Sequence, residues 1–503
     1  MRTVAVAAGI VASALAGVRW LRVAQREHYL PGSVSRFAAR WWLLGVNKIL
    51  AAAVGVGLLS STRSSLAAAV ACGAIAVGPF GLSLRGRTAR LAWTRRLRTL
   101  AGAWAAITVA AVAAGVLVGA GPTVALAVAA FTPVLVDAAL AVTAPLERRL
   151  AEPYVQRATE RLGQVRPTVV AITGSYGKTT TKGYVAHLLG ATRSVVATPA
   201  SFNNRAGVAR AVNENLTPGT DVFVAEMGTY GPGEIADLCS WCPPDVAVIT
   251  AIGPVHLERM RTEETIAAAK AEILDRARVA VLNVDHPLLA TLADRREAGG
   301  QTVLRCSAGA ALGASDVRVV DGEVRVAGRV VGRVGGEGAE PTNVACAVAV
   351  AVELGVPDDV LADRLTTLPG ARNRLSVSTG ASGATVIDDT YNANPAGAVS
   401  ALAALSRHGS PDRLRVVVTP GMVELGPRQH AENARFAKAA AVAASHLVVV
   451  GHTNRRALLE GAAAGPAQVV AVETRDQAVA WVREHVGEGD AVLYENDLPD
   501  HFA

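Results

Sequence analysis

Charge and cysteine are what this sequence has least of. Charged residues make up 18% of its 503 positions and hydrophobic ones 51%, low and high for an ordinary soluble protein of this length. The five cysteines, Cys72, Cys239, Cys242, Cys306 and Cys346, include one CxxC, Cys239-Ser-Trp-Cys242, and no second pair. A structural zinc site wants four ligands and a thioredoxin-type site wants its own fold context. Reduced cysteines packed near a helix end are therefore expected, with a cytosolic location for the soluble part. No small-residue cleavage site follows the first apolar stretch and more such stretches succeed it, so a removable signal peptide is not expected. Apart from Ala-rich helical segments, no repeat or low-complexity tract stands out.

The apolar excess is concentrated before residue 145. Five stretches there, 3–21, 42–60, 65–84, 100–120 and 123–144, are long and apolar enough to cross a bilayer, at roughly 20 residues each. The net charge of +7 reflects arginines gathered between these stretches rather than a nucleic-acid surface. Arg22, Arg26, Arg36 and Arg40 fill the first loop, and Arg85, Arg87, Arg90, Arg95, Arg96 and Arg98 fill the third. The second loop has only Arg63, and the fourth, around Gly121-Pro122, has none. The positive-inside bias then places the N-terminus outside and everything after residue 145 in the cytoplasm. Lys48 and Asp137 fall at similar depth in the second and fifth stretches. Charges at that depth are expensive unless paired, so an ion pair between the two is expected; Lys48 reaching the headgroups alone is the simpler alternative.

From about residue 151 the pattern changes to apolar strands alternating with amphipathic helices. Runs at 168–172, 221–225, 245–250 and 278–282 predict a largely parallel sheet, and 303–334 predicts β-hairpins in the same domain. A helix follows at 342–354, then the linker Leu368-Pro-Gly-Ala-Arg372. A second α/β unit has strands near 384–388, 414–418, 446–450, 467–472 and 490–494. Three regions result: an α-helical membrane region at 1–150, an α/β nucleotide-binding domain at 151–370 and a Rossmann-like α/β domain at 371–503.

The stretch that organises the chain is Thr173-Gly-Ser-Tyr-Gly-Lys178-Thr-Thr-Thr181. It joins an apolar run to a helical pattern, the strand–loop–helix context in which backbone N–H groups and a helix N-terminus cradle phosphates. Gly174, Ser175, Tyr176, Gly177 and Thr180 form or flank the cradle. Lys178 supplies a charge for the outer phosphates of ATP, and Thr179 a hydroxyl for Mg²⁺. The loop is shorter than the full P-loop pattern, which wants glycine where Ile172 stands. Glu226, His256 and Lys270 also follow apolar runs, where open α/β sheets place their sites. A carboxylate and an imidazole suit Mg²⁺; taken singly, His256 and Lys270 read as structural residues.

Together the motifs resemble one family. TGSYGKTTT is followed in order by FNNRAGV (202–208), VAEMGTYGPGEIADLC (224–239), IGPVHLE (252–258), AKAEIL (269–274), VLNVDHP (281–287), DDTYNANP (388–395) and GMVELG (421–426). This series is similar to the Mur ligases, the ATP-dependent amide ligases of peptidoglycan stem-peptide assembly. YNANP and MVELG resemble the branch that adds D-alanyl-D-alanine to UDP-N-acetylmuramoyl-tripeptide. The resemblance covers about 165–495 and implies roles for single residues. Lys178 and the loop hold ATP, and Thr179, Glu226 and His256 hold Mg²⁺. Lys270 matches a lysine carried as a carbamate, which would bring an anion to a second Mg²⁺. Asn283 and Asn343 lie near the adenine, Arg374 approaches the nucleotide between domains, and Asp389, Asn392 and Asn394 lie near ribose and the incoming amine.

Two departures accompany the resemblance. Apolar stretches stand where the family holds its UDP-sugar, and the chain ends Leu493-Tyr-Glu-Asn-Asp-Leu-Pro instead of Lys-Gly-Ser-Arg. The implied partners are a cell-wall precursor, UDP-linked or lipid-linked, an amino acid or dipeptide, and the membrane. An amide ligase for another polymer, such as poly-γ-glutamate, and an inactive membrane scaffold are the alternatives. Intact Lys178, Glu226, His256 and Lys270 speak against the scaffold.

Overall fold

The computed structural model describes every residue except 85–90, 201, 310–315, 336–338, 370–374, 391–393, 499–500 and 503. It divides into two compact units, Met1–Glu152 with Leu498–Ala503, and Pro153–Asp497.

The first unit is built of helices joined by turns, with no strand among its described residues. Two of its helices, Arg2–Arg26 and Arg95–Leu117, are long and apolar enough to cross a membrane. Two further crossings arise only if bent pairs count as one span each: Ser33–Trp42 with Asn47–Ser60, bent by 105°, and Gly121–Ala130 with Thr132–Val165, bent by 73°. About five spans were expected, and the third stretch departs most. Its helix, Ser65–Val77, has 13 residues. At 1.5 Å per residue that is about 20 Å, short of a hydrocarbon core of roughly 30 Å. Arg85, Arg87 and Arg90 of the arginine-rich loop lie outside the described residues.

The expected Lys48–Asp137 pair is not formed. Asp137 instead accepts from the backbone N–H groups of Gly32 (2.9 Å), Val34 (3.3 Å) and Ser35 (2.8 Å), and from the Ser35 hydroxyl at 2.5 Å. The first N–H groups of a helix have no intrahelical acceptor, and a carboxylate there also meets the positive end of the helix dipole. Asp137 therefore caps Ser33–Trp42 from about a hundred residues away, while Lys48 is exposed.

The second unit holds two sheets. The first contains β1 (Thr168–Thr173), β2 (Val195–Ala197), β3 (Val222–Glu226), β4 (Val246–Ile249), β5 (Val279–Asn283), β6 (Thr302–Ser307), β7 (Val317–Val320), β8 (Glu323–Val326) and β9 (Arg329–Arg333). Their order is β2-β3-β1-β4-β5-β6-β7-β8-β9, parallel as far as β7 and antiparallel beyond it. The second contains β10 (Ser376–Thr379), β11 (Thr385–Asp389), β12 (Arg415–Thr419), β13 (His446–Val450), β14 (Gln468–Val472) and β15 (Ala491–Glu495), ordered β10-β11-β15-β12-β13-β14. Only β10 runs antiparallel to its neighbour. The central strands β1, β3, β4 and β5 are almost wholly buried, because crossover helices cover both faces of a parallel sheet. All five cysteines are free and buried, and no zinc-type cluster occurs among the described residues.

Candidate active site

Parallel pairing brings the carboxyl ends of β1, β3, β4 and β5 to one edge of the first sheet. The loop 174–177 leaves β1 there and enters the helix Lys178–Leu189. Gly177 has φ +78°, a conformation that strains any residue with a Cβ. A Cβ on it would also lie 2.1 Å from Asn343 Oδ1, and one on Gly174 would lie 2.0 Å from Thr250 Oγ1. Sequence and packing thus demand glycine twice.

The loop is tied to β4 by hydrogen bonds. Ser175 N donates to Ala251 O (2.8 Å), Gly253 N donates to Ser175 Oγ (3.0 Å), and Thr250 Oγ1 donates to Tyr176 O. Asn283 Nδ2 donates to Thr250 O at 2.9 Å, so the end of β5 braces the same turn. Lys178 Nζ folds back over the loop to Gly174 O at 2.7 Å. Thr180 is buried in the first helical turn. Burial raises the pKa of the Tyr176 hydroxyl, which has no hydrogen-bond partner among the described residues.

Glu226, the last residue of β3, is the centre of the polar network. Its Oε2 accepts from Thr179 Oγ1 (2.9 Å) and Lys182 Nζ (3.0 Å), and its Oε1 accepts from Asn203 Nδ2 (3.1 Å). Lys182 also donates to Ala200 O at 2.5 Å. Lys182 and Asn203 carried no role in the sequence reading. Their signal was present: Lys182 stands four residues after Lys178, and Asn203 lies in FNNRAGV.

Lys270, on the helix Glu263–Ala271, is 2% exposed. Burial, and then the charge of Lys178, hold its ammonium well below the usual lysine range. Both effects favour the uncharged amine.

His256 meets the second sheet's domain instead of Glu226. Its Nδ1 lies 2.5 Å from Glu424 Oε2, while Leu257 N donates to Glu424 O at 3.1 Å. His256 and Glu424 both have left-handed φ, +59° and +64°. Tyr230 packs edge-on to the His256 ring, and Arg428 pairs with Glu263 at 2.7 Å across the same junction. Glu424 belongs to GMVELG; only the tertiary contact shows what it grips.

The second sheet presents a different edge. Asp389 and Glu495 end neighbouring parallel strands in register, with Thr419 ending the next. Thr419 Oγ1 donates to Glu495 Oε2 at 3.2 Å. Burial, and then Asp389, push the Glu495 carboxyl up to about 8. Asn394 is a helix cap, its Oδ1 accepting from Gly397 N at 3.0 Å. Arg374 and Asn392 lie outside the described residues.

Comparisons with known proteins agree with this layout. Residues 172–331 match the Mur ligase middle domain and 373–494 the Mur ligase glutamate ligase domain. The UDP-N-acetylmuramoyl-tripeptide–D-alanyl-D-alanine ligase of Mycobacterium tuberculosis is 35% identical over 361 residues, 65% of this chain and 69% of that protein. The chain belongs to the Mur ligase family. It is an ATP-dependent, ADP-forming ligase, and Mur ligases work with ATP and Mg²⁺. The ligase of the same name from Bacillus subtilis is 29% identical over 56% of this chain and 60% of its own length. Among solved structures, MurF from Acinetobacter baumannii superposes with TM-score 0.59 at 26% identity, covering 68% of this chain and 77% of its own. MurF from Thermotoga maritima in complex with ADP gives 0.58 at 27%, covering 69% and 80%.

The residues present fit both groups the family uses. The loop approaches its neighbours too closely for a Cβ at Gly174 or Gly177, and its lysine reaches back over the turn. Thr179 and Glu226 converge as hard oxygen donors, the ligand type Mg²⁺ takes.

Proposed function

We propose that this Mur ligase is attached to the membrane by its first unit and extends the stem peptide of a cell-wall precursor. It would do so by joining the precursor's carboxylate to an amino acid or dipeptide such as D-alanyl-D-alanine. The observation that carries the reading is the convergence of Lys178, Thr179, Glu226 and buried Lys270 in a chain 35% identical to ligases of that name. ATP supplies the phosphoryl group that converts the carboxylate into an acyl phosphate, and Mg²⁺ spreads the charge of the phosphates.

The chain's own residues hold the reactants. Lys178 and the loop amides bind the outer phosphates, with Gly174, Ser175, Tyr176, Gly177 and Thr180 shaping the cradle. Asn283 and Asn343 border the adenine end. Thr179, Glu226 and His256 supply metal ligands. Lys270, whose burial favours the uncharged amine, would add through its nitrogen to CO₂ and release one proton, and the resulting carbamate would be an anionic metal ligand. Glu424 holds the His256 ring by Nδ1, so Nε2 is the nitrogen available. Arg374, Asp389 and Asn392 serve nucleotide and amine from the C-terminal domain; Asn394 sets the helix behind them. Little proton transfer is asked of the protein, and positioning accounts for most of the rate.

Membrane attachment favours a lipid-linked acceptor, and the two apolar helices long enough to span support it. The Leu493-Tyr-Glu-Asn-Asp-Leu-Pro ending, where a basic Lys-Gly-Ser-Arg was expected, likewise favours an acceptor that is not UDP-linked. The test is ADP release by detergent-solubilised protein, with UDP-linked and lipid-linked tripeptide precursors crossed against single amino acids and D-alanyl-D-alanine. Product masses identify both halves of the bond. The Lys178→Ala variant should lose about a hundredfold or more in turnover while remaining folded. Near-normal turnover in that variant removes the nucleotide assignment.

A further inference from the structure

The first unit holds a charge that its own acids do not balance. Residues 1–152 and 498–503 contain sixteen Arg and Lys against five acids, Glu27, Asp137, Glu147, Glu152 and Asp500. Three of these acids are engaged elsewhere. Asp137 caps a helix, Glu27 Oε1 lies 2.9 Å from His501 Nε2, and Glu147 acts on Arg96.

Arg19, on the helix Arg2–Arg26, is 6% exposed. Among the described residues its Nε and Nη1 have no hydrogen-bond partner, and Nη2 reaches Val77 O at 3.4 Å. A purely structural role, capping the helix Ser65–Val77, uses one donor of five at the limit of hydrogen-bond distance. It leaves the positive charge where it was. Arg22 is 1% exposed and three residues further on, hence on the same helical face; Arg26 follows at the helix end. Guanidinium does not shed its proton in a protein, so burial cannot neutralise it. A buried charge without a counter-ion is strongly destabilising, so the persistence of Arg19 calls for an anion from outside the chain.

The position narrows the choice of anion. Arg19 stands seven residues, roughly 10 Å, from the end of its helix. Trp20 is its neighbour, Tyr29 lies just past that end under Arg96, and Trp41 donates from Nε1 to His501 O at 2.8 Å. Aromatic residues interleaved with cations mark the membrane–water boundary, where headgroup phosphates lie. The planar guanidinium suits phosphate. We propose that Arg19 binds the phosphate group of a membrane lipid headgroup. The proposal needs the first unit to lie in a membrane, but no particular bond to be made by the ligase.

The test reads binding, without ATP or acceptor, so its outcome is separate from that of the ligase assay. Full-length protein in neutral detergent is titrated with dioleoyl phosphatidic acid, with dioleoylglycerol and with inorganic phosphate, and thermal unfolding is followed. Phosphatidic acid should raise the unfolding temperature; dioleoylglycerol should not. Arg19→Met should abolish the shift, and exposed Arg36→Gln should keep it. Without any phosphate, Arg19→Met should be at least as stable as the parent, because it removes a buried charge; a merely structural arginine predicts the reverse. Should Arg19→Met not fold, Arg19→Lys keeps the charge, loses the planar fork and should weaken half-saturation about tenfold. Equal stabilisation by inorganic phosphate would overturn the lipid assignment in favour of free phosphate. An unchanged shift in the Arg19 variants, or no shift in the parent, would overturn the site.

Discussion

The two units bury polar groups by opposite means. In the ligase unit buried charges find side chains: Glu226 takes Thr179, Lys182 and Asn203 within 3.1 Å. Parallel strands end at one edge, so residues distant in sequence arrive there together with side chains to spare. The helical unit has few acids to share. There Asp137 is satisfied mainly by backbone N–H groups, and Arg19 keeps two nitrogens without a partner among the described residues. The sheet edge collects complementary side chains around Glu226, whereas the helical bundle meets Asp137 chiefly with a helix end.

The strongest challenge to that contrast is Lys182→Met. Removing one partner of a buried pair leaves the other charge uncompensated, so the ligase unit should lose about 3–5 kcal/mol. Chemical denaturation reads this directly. A loss below about 1 kcal/mol would mean that Glu226 is held well enough by its neutral donors, and the two units would then differ less than described.

Next in size is Asp137→Leu, which strands the first N–H groups of Ser33–Trp42. It should lower stability in detergent by about 2 kcal/mol. Lys48→Met should change it by no more than about 0.5 kcal/mol. Comparable losses from the two single variants, largely recovered in the double variant, would restore the ion pair and break the comparison.

Glu424→Gln sharpens the comparison at the junction of the two sheets. The amide keeps a hydrogen bond to His256 but not the charge that fixes the imidazole tautomer. Affinity for Mn²⁺, measured by paramagnetic resonance, should fall about tenfold, within the range for partners that orient metal ligands. Unchanged Mn²⁺ affinity with a reduced rate would assign Glu424 to holding the domains together instead.

The fold was legible where local pattern and burial coincide. The runs at 168–172, 278–282 and 446–450 became β1, β5 and β13 because a strand covered on both faces must be apolar along its whole length. The three-residue β2 and exposed β10 escaped, since neither carries such a run. Apolar length alone overstated the membrane region. It cannot register that 42–60 breaks after Trp42 or that the third helix stops at Val77.

What the sequence determined by itself is therefore local. It specified a strand, a loop that needs glycine at 174 and 177, a helix opening on Lys178, and a family whose motifs recur in order. Tertiary structure alone decided the partners: Lys182 on Glu226, Glu424 on His256, Asp137 on the start of a helix a hundred residues earlier, and Arg19 with no acid among the described residues. Spacing along a chain encodes which face a residue occupies. It does not encode which distant backbone or side chain comes to meet that face, because that depends on the packing of whole elements.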